Sequence, residues 1–409
     1  QRLIEQADVA VLGCGALGTV ASELLCRAGV GRIRIIDRDV VEWTNLQRQS
    51  LFDMKDARHG ESKAAAACAR LAQINDLVEL VPEVIDITPG NIESVLDGTD
   101  LVIDATDNFG VRFLLNDWAL CHAKVWVHGG CVGAAGQVRL FDGAARPCFR
   151  CLVPTLPPAG LVDTCDTAGV IGSATHAIAG LQVTESIKWL SGNRDAVSDA
   201  VLSIDFWNNK IRRVTLDPSI APRCVACVQR EFQFLRGDAL PGGDAALCGR
   251  DAVQICPAEQ NLRIDLEEMH RRWESIGQVH STRFFVRLHI DESTHLTLFR
   301  DGRAVVQGVD DIARARSLFD RFVSDSAGTS LIDPTTYVLD SSWTTHSVGG
   351  TSPGNGLFFN GYNAMSANSD APVGLYSPTT WNDGSSGSHV DTDNAALSSL
   401  MMSHAVAPG

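Results

Sequence analysis

No stretch of the 409 residues approaches the roughly 18 consecutive apolar residues that cross a bilayer. No basic and apolar leader opens the chain either. Both absences point to a cytoplasmic protein without a membrane partner, although the chain opens at Gln1 rather than Met, as a trimmed terminus would. Basic residues are in short supply: 34 Lys and Arg stand against 49 Asp and Glu, a formal net charge of -15. That balance argues against a nucleic-acid binder and for a neutral or basic partner surface. Residues 328–409 contain no Lys or Arg at all. They are rich in Gly, Ser, Asn and Thr, with scattered aromatics and no sustained periodicity, which is the composition of a disordered or loosely β-like tail. Cysteine is not scarce, at twelve. A chain this long needs no disulfide staples, and two pairs have C-x-x-C spacing, so the cysteines read as thiols in a reducing cytosol.

What is present is an alternation of apolar runs and amphipathic stretches over residues 1–236. Val9–Leu12, Ile33–Ile36, Val78–Val81, Leu101–Ile103 and Val125–Val127 read as strands. Ala16–Ala28, Lys63–Ala72, Phe109–His122 and residues 173–190 read as helices, the last with Ser173 as cap. The pattern predicts an α/β fold, a Rossmann-like and mostly parallel sheet covered by helices. Residues 201–216 read as two strands turning at Asn208-Asn209. Residues 237–327, opened by a Gly/Pro linker, read as a small α+β module. It has a helix over Leu266–Ile276, a hairpin turning at Asp301-Gly302, and a closing helix over Asp311–Val323.

The first strand runs into Gly13-Cys14-Gly15-Ala16-Leu17-Gly18. In such a loop Gly13 permits the tight turn, Gly15 lets backbone approach phosphate, and Gly18 lets helix pack on strand. The helix start then offers free amides and a positive dipole end to an anion. Asp37, ending the second strand, is placed to accept hydrogen bonds from ribose hydroxyls. These features suit NAD and ATP equally. Asn45, Arg48 and Lys63 argue for ATP, because an attack on a triphosphate builds charge on phosphate oxygens and a hydride transfer does not. Asp104 and Asp107 stand at the end of a further strand, where a carboxylate can hold Mg2+.

The ordered set G-x-G-x-L-G, D-x-D, N-L-x-R-Q, G-x-x-K and A-T-D-N resembles the ThiF/MoeB family of E1-like adenylyltransferases over residues 1 to about 230. Two departures stand out. Ala16 replaces a glycine common in the family, and the amino-terminal R-Y-x-R-Q segment, whose arginine reaches the neighbouring subunit's ATP, is not among these residues. The resemblance implies a homodimer that adenylates the C-terminal glycine of a ubiquitin-like sulfur-carrier protein ending in Gly-Gly, before a sulfur donor acts. It also implies Asp37 on the ribose, Asn45, Arg48 and Lys63 on the ATP phosphates, and Asp107 serving Mg2+ and the catalytic step.

Cys148, Cys151, Cys224 and Cys227 supply four thiolates in two matched pairs, a donor set for tetrahedral structural Zn2+. Cys165 lies in a polar, Gly-containing loop; the resemblance places it at the family's crossover-loop cysteine, which in some members is a nucleophile. Cys14, Cys26, Cys68, Cys121 and Cys131 read as small apolar fillers. Three other functions stay open at this point: transfer of a modifier to Cys165 for protein conjugation, an NAD-dependent oxidoreductase, and a noncatalytic scaffold.

Overall fold

A computed structural model describes residues 1–324 except 145, 158–167, 218, 220, 239–244, 248–251, 257–263 and 292. Cys165 and residues 328–409 therefore lie outside the described residues. Eight strands form the first sheet: β1 (Asp8–Leu12), β2 (Arg32–Ile36), β3 (Glu79–Glu83), β4 (Leu101–Asp104), β5 (Val125–Val132), β6 (Ala135–Phe141), β7 (Ala200–Asp205) and β8 (Lys210–Thr215). Their order is β3-β2-β1-β4-β5-β6-β7-β8. The pairings from β3 to β5 are parallel, and those from β5 to β8 are antiparallel.

The central parallel strands β1 and β4 are near-continuous apolar runs because both faces are covered, whereas β2 keeps Arg32 and Arg34 among its isoleucines and the edge strand β3 has no buried residue. Alternate side chains serve opposite cores. Val9, Val11, Ile33, Ile35 and Ile103 pack with Leu25 and Ile178 of the helices Gly18–Ala28 and Gly172–Leu190. Ala10, Leu12, Val102 and Trp126 pack on the other side with Phe113 and Trp118 of the helix Phe109–His122. The long helix opens at Gly172 with Ile171 as N-cap and no side-chain cap, so the expected Ser173 cap is not used. Cys121 is also not a buried filler: it is exposed, whereas Cys14, Cys26, Cys68 and Cys131 are buried.

β6 and the end of β5 beyond Val127 have no counterpart in the sequence reading. Their surroundings explain why. A Cβ on Gly129 would lie 2.3 Å from Gln182, and one on Gly136 would lie 2.4 Å from Ile178. Glycines that suggest a loop are here strand residues, pressed by the Gly172–Leu190 helix.

The second sheet is antiparallel throughout, with β9 (Ala245–Leu247), β10 (Ala252–Ile255), β11 (Gln278–Ser281), β12 (Phe285–His289), β13 (His295–Phe299) and β14 (Ala304–Gln307) in the order β11-β12-β13-β14-β10-β9. The β13–β14 hairpin turns where Asp301-Gly302 predicts, with Gly302 at φ 81. Val286, Leu288, Leu296, Leu298 and Val306 face the helices Leu266–Glu274 and Ile312–Phe319, meeting Met269, Trp273 and Phe319. The opposite face is not left to solvent. Phe285 and Phe299 belong to the same apolar cluster as Val11 and Ile35 of the first sheet.

Candidate nucleotide site and metal centre

The strand order reverses beside β1, so the loops after β1 and β4 flank the crevice where ligands of open α/β sheets sit. The two loops touch. Gly13 has φ 89, and a Cβ there would lie 2.8 Å from the Ala105 carbonyl oxygen. A Cβ on Gly18 would lie 1.9 Å from the Gly13 carbonyl oxygen. Gly15 differs: its nearest neighbour, Gln49 Nε2, is 3.9 Å from such an atom. Steric need therefore explains Gly13 and Gly18, whereas Gly15 is open on the side a ligand would take. Gly18→Ala is expected to lower stability by about 1–3 kcal/mol through overpacking, and Gly15→Ala to leave it unmoved; denaturant unfolding of the two variants checks this.

The Gly18–Ala28 helix starts without a side-chain cap. The amides of Gly15, Ala16 and Leu17 find no acceptor among the described residues, which is how an anion seat at a helix N-terminus is built. Asp37 holds the loop from below. One carboxylate oxygen accepts from the Cys14 amide at 2.6 Å and the other from the Asp39 amide at 2.7 Å. Burial pushes the Asp37 carboxyl up and nearby Lys63 pulls it back. Burial also pushes the Cys14 thiol well up, with the Asp37 carboxylate adding to it.

Lys63 begins the helix Lys63–Leu71, capped by Ser62. Its side chain is almost wholly buried, with Nζ 3.4 Å from Asp39 Oδ2. Asp39 was not singled out from the sequence, although the D-x-D spacing contains it. Asn45 is buried in a short 3-10 turn, Trp43–Asn45, where its Oδ1 accepts from the Glu42 amide and the Glu42 carboxylate caps the turn in return. Arg48 follows, donating from Nη1 to the Thr44 carbonyl at 2.9 Å. The start of the Gly172–Leu190 helix packs against this segment, since a Cβ on Gly172 would lie 3.4 Å from the Gln47 carbonyl oxygen.

The two carboxylates after β4 have different lives. Asp104 is fully buried. Its Oδ1 accepts from the Thr106 amide at 3.1 Å and hydroxyl at 2.7 Å. Its Oδ2 meets His128 Nδ1 at 2.8 Å and Arg112 Nε at 3.3 Å. Burial raises the Asp104 carboxyl, but Arg112 and His128 outweigh it and hold it below the usual range. Burial lowers His128 in spite of Asp104, which favours a neutral imidazole beside the carboxylate. With both oxygens so occupied Asp104 has no site left for a cation. Arg112 also donates to the Thr106 carbonyl, and Gln182 donates to the Asp104 carbonyl at 2.8 Å. Asp107, one residue beyond this clamp, is exposed and makes no hydrogen bond or ion pair with described residues. His128, Arg112 and Gln182 were not found from the sequence. The available signal was a histidine inside an apolar strand, in register with Asp104 on β4.

Away from the crevice, the Sγ atoms of Cys148, Cys151, Cys224 and Cys227 all lie within 4.8 Å of one another. Three separations are 3.9 Å for Cys148–Cys151, 3.8 Å for Cys148–Cys224 and 3.4 Å for Cys151–Cys227. Four sulfurs at about 2.3 Å from a tetrahedral Zn2+ stand about 3.8 Å apart, so the set fits zinc. Three of the four thiols are buried, and four such donors would fill a tetrahedral site with no open position.

The fold and the two centres together define an α/β protein with a crevice suited to a nucleotide and a separate four-cysteine cluster that fits zinc. The chain belongs to the ThiF family, whose model matches residues 1–226. It is 36% identical over 324 residues to the sulfur carrier protein ThiS adenylyltransferase of Bacillus subtilis, covering 79% of this chain and 94% of that protein. A match of that length continues past residue 226 into the second sheet. It is 37% identical over 241 residues to the sulfur carrier protein adenylyltransferase of Thermus thermophilus, covering 57% of this chain and 88% of that one. Among solved structures, E. coli MccB with MccA-N7isoASN has a TM-score of 0.49 at 20% identity, covering 56% of this chain and 68% of that one. No helix among the described residues is long and apolar enough to cross a membrane.

Proposed function

We propose that this protein is an Mg-ATP-dependent adenylyltransferase acting on the C-terminal glycine of a ubiquitin-like sulfur-carrier protein ending in Gly-Gly. The observation that carries this reading is the likeness to the Bacillus ThiS adenylyltransferase across nearly all of that protein. A carboxylate oxygen of the carrier attacks the α-phosphorus of ATP, the bond from that phosphorus to the bridging oxygen breaks, and pyrophosphate leaves. The acyl-adenylate is then ready for a sulfur donor to convert it to a thiocarboxylate. The attacking carboxylate is already ionised, so no base has to remove a proton. The protein's tasks are placement and charge stabilisation.

In this reading the amides of Gly15, Ala16 and Leu17 face phosphate and Asp37 faces the ribose. Asn45 and Arg48 reach the phosphates from one side, and Lys63, backed by Asp39, from another. Asp107 would hold Mg2+, whose charge would offset that of the phosphates. The four cysteines would hold Zn2+ as a structural element. The reading includes a homodimer and a reducing cytoplasm, which suits ten described cysteines that are all free thiols.

Pyrophosphate exchange into ATP is the direct test. Exchange should require Mg2+ and a ThiS- or MoaD-type carrier with its Gly-Gly end intact. No exchange with any such carrier would sink the proposal. Arg48→Ala should lower exchange by about 10²-fold, the scale on which one charge-stabilising donor acts. Its carrier affinity should stay unchanged.

A further inference from the structure

The second sheet has no part in the chemistry above, yet it is fastened to the segment that carries most of the candidate nucleotide residues. The fastening is polar and specific. Arg303, buried just before β14, donates from Nη2 to the Arg38 carbonyl at 2.9 Å. Its guanidinium is steadied by stacking at 3.9 Å over the Phe299 ring. Gln307, on β14 itself, donates from Nε2 to Glu42 Oε1 at 3.2 Å. Gln254 of β10 reaches Asp86 Oδ2, the oxygen that also pairs with Arg38 Nη1 at 2.8 Å.

Both anchors at β14 bear on the candidate site. The Arg38 carbonyl lies between Asp37 and Asp39, the residues that hold the glycine loop and Lys63. The Glu42 carboxylate is the cap of the turn that sets Asn45, with Arg48 just beyond. The segment is zipped to the Lys63 side as well, through Val41 N to Glu61 O at 2.7 Å and Lys63 N to Asp39 O at 3.0 Å. One strand of the second sheet, with the residue before it, thus touches each end of residues 38–42.

We propose that the second sheet is a clamp on the ATP side of the site, with Arg303 and Gln307 as positioning residues that set the 37–48 segment for the nucleotide. This rests on the adenylyltransferase reading. It assigns the sheet to nucleotide binding rather than to the docking of the carrier protein. The face bearing Phe285, Phe299, Arg303 and Gln307 is directed at the first sheet's unit, where a carrier would have to displace it.

Gln307→Glu tests the clamp, because it sets a carboxylate against that of Glu42. Gln307 is only half-buried, so the change need not disturb the fold. Calorimetric titration of the full chain with α,β-methylene-ATP and Mg2+, without any carrier, should show affinity weakened about fivefold to tenfold, the effect of turning one hydrogen bond into a repulsion. Adding Glu42→Gln in the same chain should restore binding to within about twofold, since the donor and acceptor are then exchanged. Gln307→Ala, which removes the donor without adding charge, should give a smaller decrease. Wild-type affinity in both Gln307 variants, or a decrease that Glu42→Gln does not restore, overturns the clamp alone. A wild-type chain that binds no nucleotide overturns the adenylyltransferase reading and the clamp with it.

Discussion

Asp107→Ala is expected to lower pyrophosphate exchange by about 10³-fold or more, at the upper end of what a single group that manages charge contributes. The melting curve should not move. The side chain is exposed and accepts no hydrogen bond from the described residues, its one electrostatic contribution being a minor attraction to Arg38 beside Asp86 and Asp39, so its removal takes away little that holds the fold. The contrast with Asp104 sharpens the test. Asp104→Ala would strip a buried carboxylate from His128, Arg112 and Thr106 and should destabilise the protein, because unpaired charge and polar groups would be left inside. Exchange at wild-type rate in the Asp107 variant would remove the role assigned to it. A stable and inactive Asp107 variant beside an unstable Asp104 variant would separate the two carboxylates as the geometry separates them.

The second large effect concerns the four cysteines. Metal analysis should find about one zinc ion per chain, and Cys224→Ser should lose it, because a tetrahedral thiolate site needs all four donors. Metal binding is coupled to folding. A loss of about 3–5 kcal/mol, modest beside what structural zinc supplies in small peptides, lowers the melting temperature by roughly 10 °C in a unit of this size. Cys14→Ser is the control, since Cys14 is buried but far from the cluster in sequence and no part of it. A protein that is free of zinc and equally stable with and without Cys224 would refute the site.

The parallel half of the first sheet was legible in the sequence because each strand there holds a short apolar run bounded by helical periodicity, even in β2, which keeps two arginines, and in the edge strand β3, which starts and ends on glutamate. The glycine loop, Asp37 and the two C-x-x-C pairs were legible for the same reason: each needs particular residue types at fixed spacing. β6 and the end of β5 were hidden by their own packing. Gly129 and Gly136 are strand glycines forced by Gln182 and Ile178 of the neighbouring helix, and no local signal distinguishes that from a loop. Strands β9 to β11 were hidden because each is only three or four residues long: β9 and β11 pair with their chain neighbours β10 and β12, whereas β10 finds its second partner, β14, only in the folded sheet. The partners of Asp104 are spread over residues 106, 112 and 128, so spacing alone gave two equivalent carboxylates after β4. Only burial tells them apart. Asp39 was overlooked for the opposite reason, since it reads as an ordinary surface charge until Lys63 is seen against it.

The cysteine cluster also sets a timetable for synthesis. Cys148 and Cys224 meet across 76 residues of chain, as do Cys151 and Cys227. At about 5–20 residues per second, the first pair leaves the ribosome roughly 4–15 s before the second exists to complete the centre. During that interval a nascent chain carries an open dithiol that can take up metal only incompletely or be oxidised. Two consequences follow for making the protein. If the cluster holds zinc as proposed, zinc supply and reducing conditions matter while translation is under way, rather than after it. A chain released before residue 227 should also be degraded or aggregate, even though every residue of the glycine loop and the Asp107 strand end has already been made.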